Sequence, residues 1–210
     1  MNGTIPEKCR QNNAMPEPRE LVLASTSRYR RELLARLGLP FQVERPEVDE
    51  ARLAGESPAE TALRLAAAKA SAVAPRRPGA LVIGSDQVAS LGNTRLDKPR
   101  NHENAARQLH ALSGRTARFD TAIALYDART RGMQARLVSC EVDFRELDPA
   151  RIERYLRREQ PYDCAGSAKV EGLGIALILR MRTDDPTALI GLPLIALTEL
   201  LEAAGLPVLG

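Results

Sequence analysis

A chain of 210 residues with 44% hydrophobic side chains can bury one generous core, which excludes a disordered or fibrous protein. Basic residues number 30 and acidic ones 27, and a formal charge of +3 is too slight to argue by itself for wrapping a nucleic acid. Seven aromatics without a tryptophan leave little on which to stack successive bases, and Cys9, Cys140 and Cys164 share no CxxC spacing, which argues against a thiolate zinc site or a disulfide framework and for a reducing compartment.

Residues 1–19 are polar and contain proline without the apolar stretch of a secretory signal; they read as a flexible tail, with Met15 as an alternative start. From 20 to 210 strand-like and helix-like stretches alternate, so a single α/β domain is expected. Leu21-Val22-Leu23-Ala24 predicts a strand. The hydroxyl-rich turn Ser25-Thr26-Ser27 follows, then a helix with Leu33, Leu34 and Leu37 on one face before Gly38. Ser57, Pro58 and Glu60 spell a capping box opening a helix that runs to about Val73. Leu81-Val82-Ile83 reads as a buried strand that Gly84-Ser85-Asp86 cuts off, leaving polar residues at its carboxyl end.

Asn101 then caps a helix through Ala105, Leu109 and Leu112 that ends near Gly114, and 117–126 returns as a strand. Val138, Cys140, Val142 and Phe144 alternate with polar residues, the pattern of a strand with one wet face and Cys140 in the core. Asp148-Pro149 opens a helix carrying Ile152, Tyr155 and Leu156, 174–179 predicts a further strand, and Leu194, Leu197 and Leu201 mark the last helix. No apolar run approaches the ~20 residues of a bilayer span, so a soluble, cytoplasmic protein is expected.

Three features point to chemistry. Of the 30 basic residues 26 are arginine, so Lys8, Lys69, Lys98 and Lys169 stand out; a lysine ammonium suits a phosphate oxygen as a compact point charge. Arg28, Arg30 and Arg31 crowd a first helical turn, where positive charge opposes the macrodipole unless an anion binds. Finally, Glu47, Asp49 and Glu50 cluster, and Asp86 follows a buried strand; such carboxylates beside phosphate-binding cations can hold a hard divalent ion or orient an attacking water. Glu47 reads as a solvated loop residue. There is no GxxxxGK[ST], GxSxG or HExxH, and His102 and His110, eight residues apart, are too far apart for a close metal pair.

Leu23-Ala24-Ser25-Thr26-Ser27, Arg30-Arg31-x-Leu33-Leu34, Val48-Asp49-Glu50, Lys69, Gly84-Ser85-Asp86-Gln87-Val88 and Asp97-Lys98-Pro99 together resemble the Maf family of nucleoside triphosphate pyrophosphatases. The likeness continues through Cys164-Ala165-Gly166-Ser167, Glu171-Gly172-x-Gly174 and Ile190-Gly191-Leu192-Pro193-Leu194. The resemblance implies a Maf/ITPase-like mixed sheet flanked by helices, with room for two lobes around an active-site cleft. It implies hydrolysis between the α- and β-phosphates with a divalent metal (Mg, Mn or Co) as cofactor. Asp86 matches the proton acceptor; Ser25, Arg30, Glu50, Lys69 and Lys98 match substrate-binding positions, with Glu50 and Asp86 nearest a metal.

Gly84–Val88 and Ser167–Gly172 look like the branch acting on 7-methyl-GTP, with Tyr29, Gln87 and Glu171 at specificity positions. N7 methylation makes guanine cationic, and an aromatic face with a nearby carboxylate favours such a base: Tyr29 would stack, Glu171 accept from the base edge and Gln87 present its amide. Arg28 departs from the proline common at its position. The alternatives are a pyrophosphatase for dTTP/UTP or other non-canonical nucleotides, and a nucleotide-binding regulator of cell division and septum formation. The expected partner is a nucleoside triphosphate, with no stable nucleic acid partner and no membrane; a homodimer would be ordinary for the family.

Overall fold

The computed structural model describes residues 19–210. Lys8, Cys9, Met15 and all of the expected tail except Arg19 lie outside the described residues; the Arg19 guanidinium is paired with Asp127. The strands β1 (Leu21–Ala24), β2 (Gln42–Glu44), β3 (Leu81–Leu91), β4 (Thr94–Leu96), β5 (Thr116–Asp127), β6 (Gly132–Phe144) and β7 (Ile178–Arg182) form one mixed sheet. Its order is β2-β1-β3-β5-β6-β7, with β4 added to β3. Among the described residues five helices flank it: α1 (Arg28–Ala35), α2 (Pro58–Val73), α3 (His102–Leu112), α4 (Pro149–Glu159) and α5 (Leu194–Ala203). No helix among the described residues is long and apolar enough to cross a membrane.

Local signals account for the starts of α1 to α4. Ser57 and Glu60 form the full capping box of α2, and Ser27, Asn101 and Asp148 each accept a backbone N–H at the starts of α1, α3 and α4. The strand pleat then sorts the core. Leu21, Leu23, Leu81 and Ile83 pack on one face against Leu33, Leu34, Leu197 and Leu201 from α1 and α5. Val22, Ala24 and Val82 pack on the other against Ala62, Ala66 and Ala70 of α2. A third cluster joins the far ends of β3, β5 and β6 to α3 and α4, with Cys140 fully buried in it. The long strands β3, β5 and β6 run through all three clusters, and the cleft opens beside β3.

Two expectations are corrected. The strand beginning at Leu81 does not stop at Gly84 but continues to Leu91, held by an unbroken antiparallel register with β5 from Leu81↔Asp127 to Ser90↔Arg118. Gly84 is therefore no turn residue. A Cβ there would lie 2.1 Å from the Ala66 carbonyl oxygen and 2.7 Å from the Ala70 nitrogen, so glycine lets α2 press onto the strand. Second, 174–179 is not one strand: Leu173–Leu177 forms a 3-10 turn and β7 starts only at Ile178, where β6 offers its free edge. The short strands β2 and β4 were not foreseen.

The edge of β3 that meets β1 carries the consequence. β1 covers it up to Gly84, opposite Ala24, and β4 takes over at Ala89, opposite Leu96. Between them, residues 85–88 have no strand partner on that side among the described residues. This notch forms the floor of the cleft.

Candidate active site

The cleft has a volume of about 1280 Å³ and is walled by eight basic and five acidic side chains. Ser25, Tyr29, Arg30, Glu50, Lys69, Asp86, Gln87, Lys98 and Glu171 all line it, although they come from segments spread across the sequence. His102 lies elsewhere, bonded to Tyr162 and Glu153, and His110 is exposed. Glu47 is exposed as expected of a solvated loop residue.

Lys69 sits on the buried face of α2 and is only 5% exposed. Its Nζ lies 2.6 Å from Asp86 Oδ1 and 2.7 Å from Glu50 Oε1. An ammonium taken out of water needs such partners, because an unpaired buried charge is strongly unfavourable. Asp86 Oδ2 accepts no hydrogen bond among the described residues, and the side chain faces the cleft. Asp49 Oδ1 accepts from the Ala51 N–H at 2.8 Å, a turn that carries Glu50 to the cleft. Burial raises the Glu50 pKa, but its bond to Lys69 and the positive charges of Lys69, Lys98 and Arg30 outweigh that and hold it below the usual carboxylate range.

The turn into α1 supplies the next wall. Ser25 is buried and its Oγ accepts from the Ser27 N–H at 3.1 Å. Arg30 is half-buried and donates from Nε to the Gly191 carbonyl at 2.8 Å. That carbonyl also accepts from Ser85 Oγ at 2.9 Å, and Gly191 has φ +120°, a conformation that favours glycine. Burial lowers the Arg30 pKa, opposed by Asp86 and Glu50. Arg31 is exposed and outside the cleft wall. Among the lysines of the described residues, Lys69 and Lys98 line the cleft, whereas Lys169 pairs with Glu159 at 2.6 Å and supports the 169–173 segment, whose Leu173 N–H also bonds Glu159.

A second cluster lies at the other end of the wall. Arg28 Nη2 donates to the Tyr29 hydroxyl at 2.6 Å, its guanidinium carbon is 4.7 Å from the Tyr29 ring centroid, and Asp163 Oδ2 is 3.6 Å away. The Tyr29 hydroxyl in turn reaches both Asp163 oxygens, at 3.2 and 3.3 Å. Burial pushes the Cys164 thiol up to about 12, which leaves it protonated near neutral pH and a poor nucleophile. Glu171 has its pKa raised, first by the protein atoms around it in the concave wall and further by Glu159 and Asp163. Gln87 differs from expectation. Its Nε2 is already committed to Thr121 Oγ1 at 2.9 Å and to the carbonyls of Ala188 and Leu189 at 3.0 and 3.1 Å, so its two N–H donors are spent on the far wall and only Oε1 remains for a ligand.

Asp163, Arg45, Arg52, Arg95 and Arg100 line the cleft without having been singled out in the sequence. Arg45 and Arg52 flank the acidic segment and Asp163 adjoins the Cys164–Ser167 motif, and that adjacency was the available signal; nothing in the sequence pairs Asp163 with Tyr29, 134 residues away. Among the described residues no group of three or more His, Cys, Asp or Glu side chains converges on a metal position. The donor set is two carboxylates, Asp86 and Glu50, either side of Lys69. That fits a hard ion of the magnesium type, which takes one or two carboxylates and completes its shell with water and substrate phosphate.

The sequence matches the family description "Maf-like protein" over residues 20–204. It is 59% identical over 189 residues to a protein of Thiobacillus denitrificans named 7-methyl-GTP pyrophosphatase, covering 90% of this chain and 94% of that one. Proteins of the same name from Methylobacillus flagellatus and Burkholderia thailandensis are 56% and 57% identical, covering 90% and 94% of this chain and 98% and 93% of their own lengths. The architecture overlaps in part that of the Staphylococcus aureus Ham1 protein, at a TM-score of 0.43 and 17% identity over 60% of this chain and 72% of that one.

Proposed function

The chain belongs to the Maf family, and from that premise we propose that it is a nucleoside triphosphate pyrophosphatase hydrolysing 7-methyl-GTP to 7-methyl-GMP and pyrophosphate, so removing a modified nucleotide from the pool. The observation that carries the reading is Lys69 bracketed by Asp86 and Glu50 in the wall of a cationic cleft. A carboxylate held in place with one free oxygen is what a water needs for deprotonation, and cations around it are what a polyphosphate needs. The names of the relatives support the choice of base.

In this reading Arg30, Lys98 and the Ser25 turn hold the triphosphate, and Asp86 accepts a proton from a water whose oxygen bonds to the α-phosphorus. The bond from that phosphorus to the bridging oxygen breaks, and pyrophosphate leaves. Glu50 and Asp86 would hold a divalent ion, whose chemistry is to neutralise charge on the phosphates. Tyr29 and Glu171 flank the base. The partner is the nucleotide, with no stable nucleic acid partner and action in the cytoplasm.

The test is pyrophosphate release from 7-methyl-GTP, GTP, dTTP and UTP with Mg²⁺, Mn²⁺ or Co²⁺, before and after chelation. Metal-dependent turnover greatest on 7-methyl-GTP is expected. Preference for dTTP and UTP would overturn the base assignment, and turnover of none would favour a binding role.

A further inference from the structure

We propose that Arg28 is a built-in competitor for the base site: its guanidinium lies on the Tyr29 face and against the Asp163 carboxylate, the two groups that a cationic purine would use, so a cationic base must displace it. The inference rests on the activity proposed above and adds two residues, Arg28 and Asp163, to the selection of the base.

Three observations carry it. Arg28 stands in the first turn of α1, which contains no acidic residue, yet it folds over its neighbour's ring rather than facing the phosphate end; its distances to the Tyr29 centroid and hydroxyl are 4.7 and 2.6 Å. A planar, delocalised cation over an aromatic face is the interaction that an N7-methylated guanine would make there. The arginine and its partner are both open to solvent, with 59% and 54% of their side chains exposed. An ion pair so exposed is weak and gives way easily. Finally, the clasp joins the start of α1 to the Asp163 segment that follows α4, with the Tyr29 hydroxyl bonded to both partners, and all three side chains line the cleft.

When Arg28 leaves, Asp163 loses a counter-ion and Tyr29 a cation. A methylated guanine replaces both interactions, whereas neutral guanine replaces neither and meets a carboxylate with no charge to offer it. Arg28 left nearby also repels the cationic base alone. Its removal therefore helps the methylated base more than the neutral one, and loss of Asp163 does the reverse.

Titration calorimetry with 7-methyl-GMP and with GMP, on the full chain and on the Arg28→Gln and Asp163→Asn variants, tests this. Arg28→Gln is expected to tighten 7-methyl-GMP about threefold relative to GMP, and Asp163→Asn to weaken it relative to GMP by a similar factor. Equal changes for the two nucleotides, or weaker 7-methyl-GMP binding in Arg28→Gln, would overturn the proposal. Failure of the wild-type protein to release pyrophosphate from 7-methyl-GTP would count against the activity alone, because the calorimetric comparison needs no turnover.

Discussion

Asp86 and Gln87 are neighbours on β3 and face opposite sides of the sheet. Asp86 meets Lys69 of α2, whereas Gln87 reaches the Ala188 and Leu189 carbonyls on the side where α5 packs. Both line the cleft because the strand edge between β1 and β4 has no strand partner among the described residues, so the notch opens to both faces of the strand. One strand thereby presents a carboxylate and an amide to the same cleft.

Replacing Asp86 by alanine is expected to abolish pyrophosphate release while leaving the fold intact, since Lys69 keeps Glu50 as a partner. Turnover of 7-methyl-GTP and the circular dichroism spectrum check the two halves of that expectation. Unchanged turnover would remove Asp86 from the proton-accepting role.

Lys69→Met should lower stability by about 3 kcal/mol, because it leaves the buried Asp86 without its counter-ion. The double variant Lys69→Met/Asp86→Asn should recover much of that loss in urea denaturation, while both variants remain inactive. A double variant no more stable than the single one would mean that the pair is not what holds α2 to β3 here.

Gly84→Ala is expected to cost about 2–3 kcal/mol, since the added methyl meets backbone atoms of α2 that only a shift of the helix can clear. The same shift draws Lys69 away from Asp86, so kcat should fall with stability. Normal activity and an unchanged denaturation midpoint would contradict the close approach.

Gln87→Leu removes the donor to three acceptors and is expected to cost about 2 kcal/mol in stability. If the amide serves mainly to hold the 188–191 turn, KM rises alike for 7-methyl-GTP and GTP. A loss confined to one nucleotide would instead assign Gln87 to reading the base.

Arg19 holds the Asp127 carboxyl down to about 2, through its hydrogen bond first, with burial opposing and the backbone N–H groups of Arg129 and Thr130 adding to it. A lowered carboxyl pKa stabilises the fold at pH above its unfolded value and loses that contribution as pH falls through the folded one. Arg19→Gln should therefore be less stable than wild type by about 1 kcal/mol at pH 6, a figure reduced by solvent near the surface, with the gap closing toward pH ~2. A constant gap across that range in chemical denaturation would show that the pair contributes nothing through ionisation.

The sequence by itself determined the α/β class, the starts of α1 to α4, the strand at Leu21–Ala24 and the dry face holding Cys140, because caps and periodicities act over a few residues. Its ordered motifs also marked nine side chains that line one cleft. Only the tertiary structure decided that Gly84 lies inside a strand, since the reason is an approach by α2 that no neighbour in sequence records. It alone paired Lys69 with Asp86 and Lys169 with Glu159, partners that the motifs do not name. It alone brought Asp163 to Tyr29 and spent the Gln87 amide on a turn a hundred residues away. Local pattern shows which residues are able to do chemistry; which of them face one another depends on how the long strands and the helices packed on them close the chain.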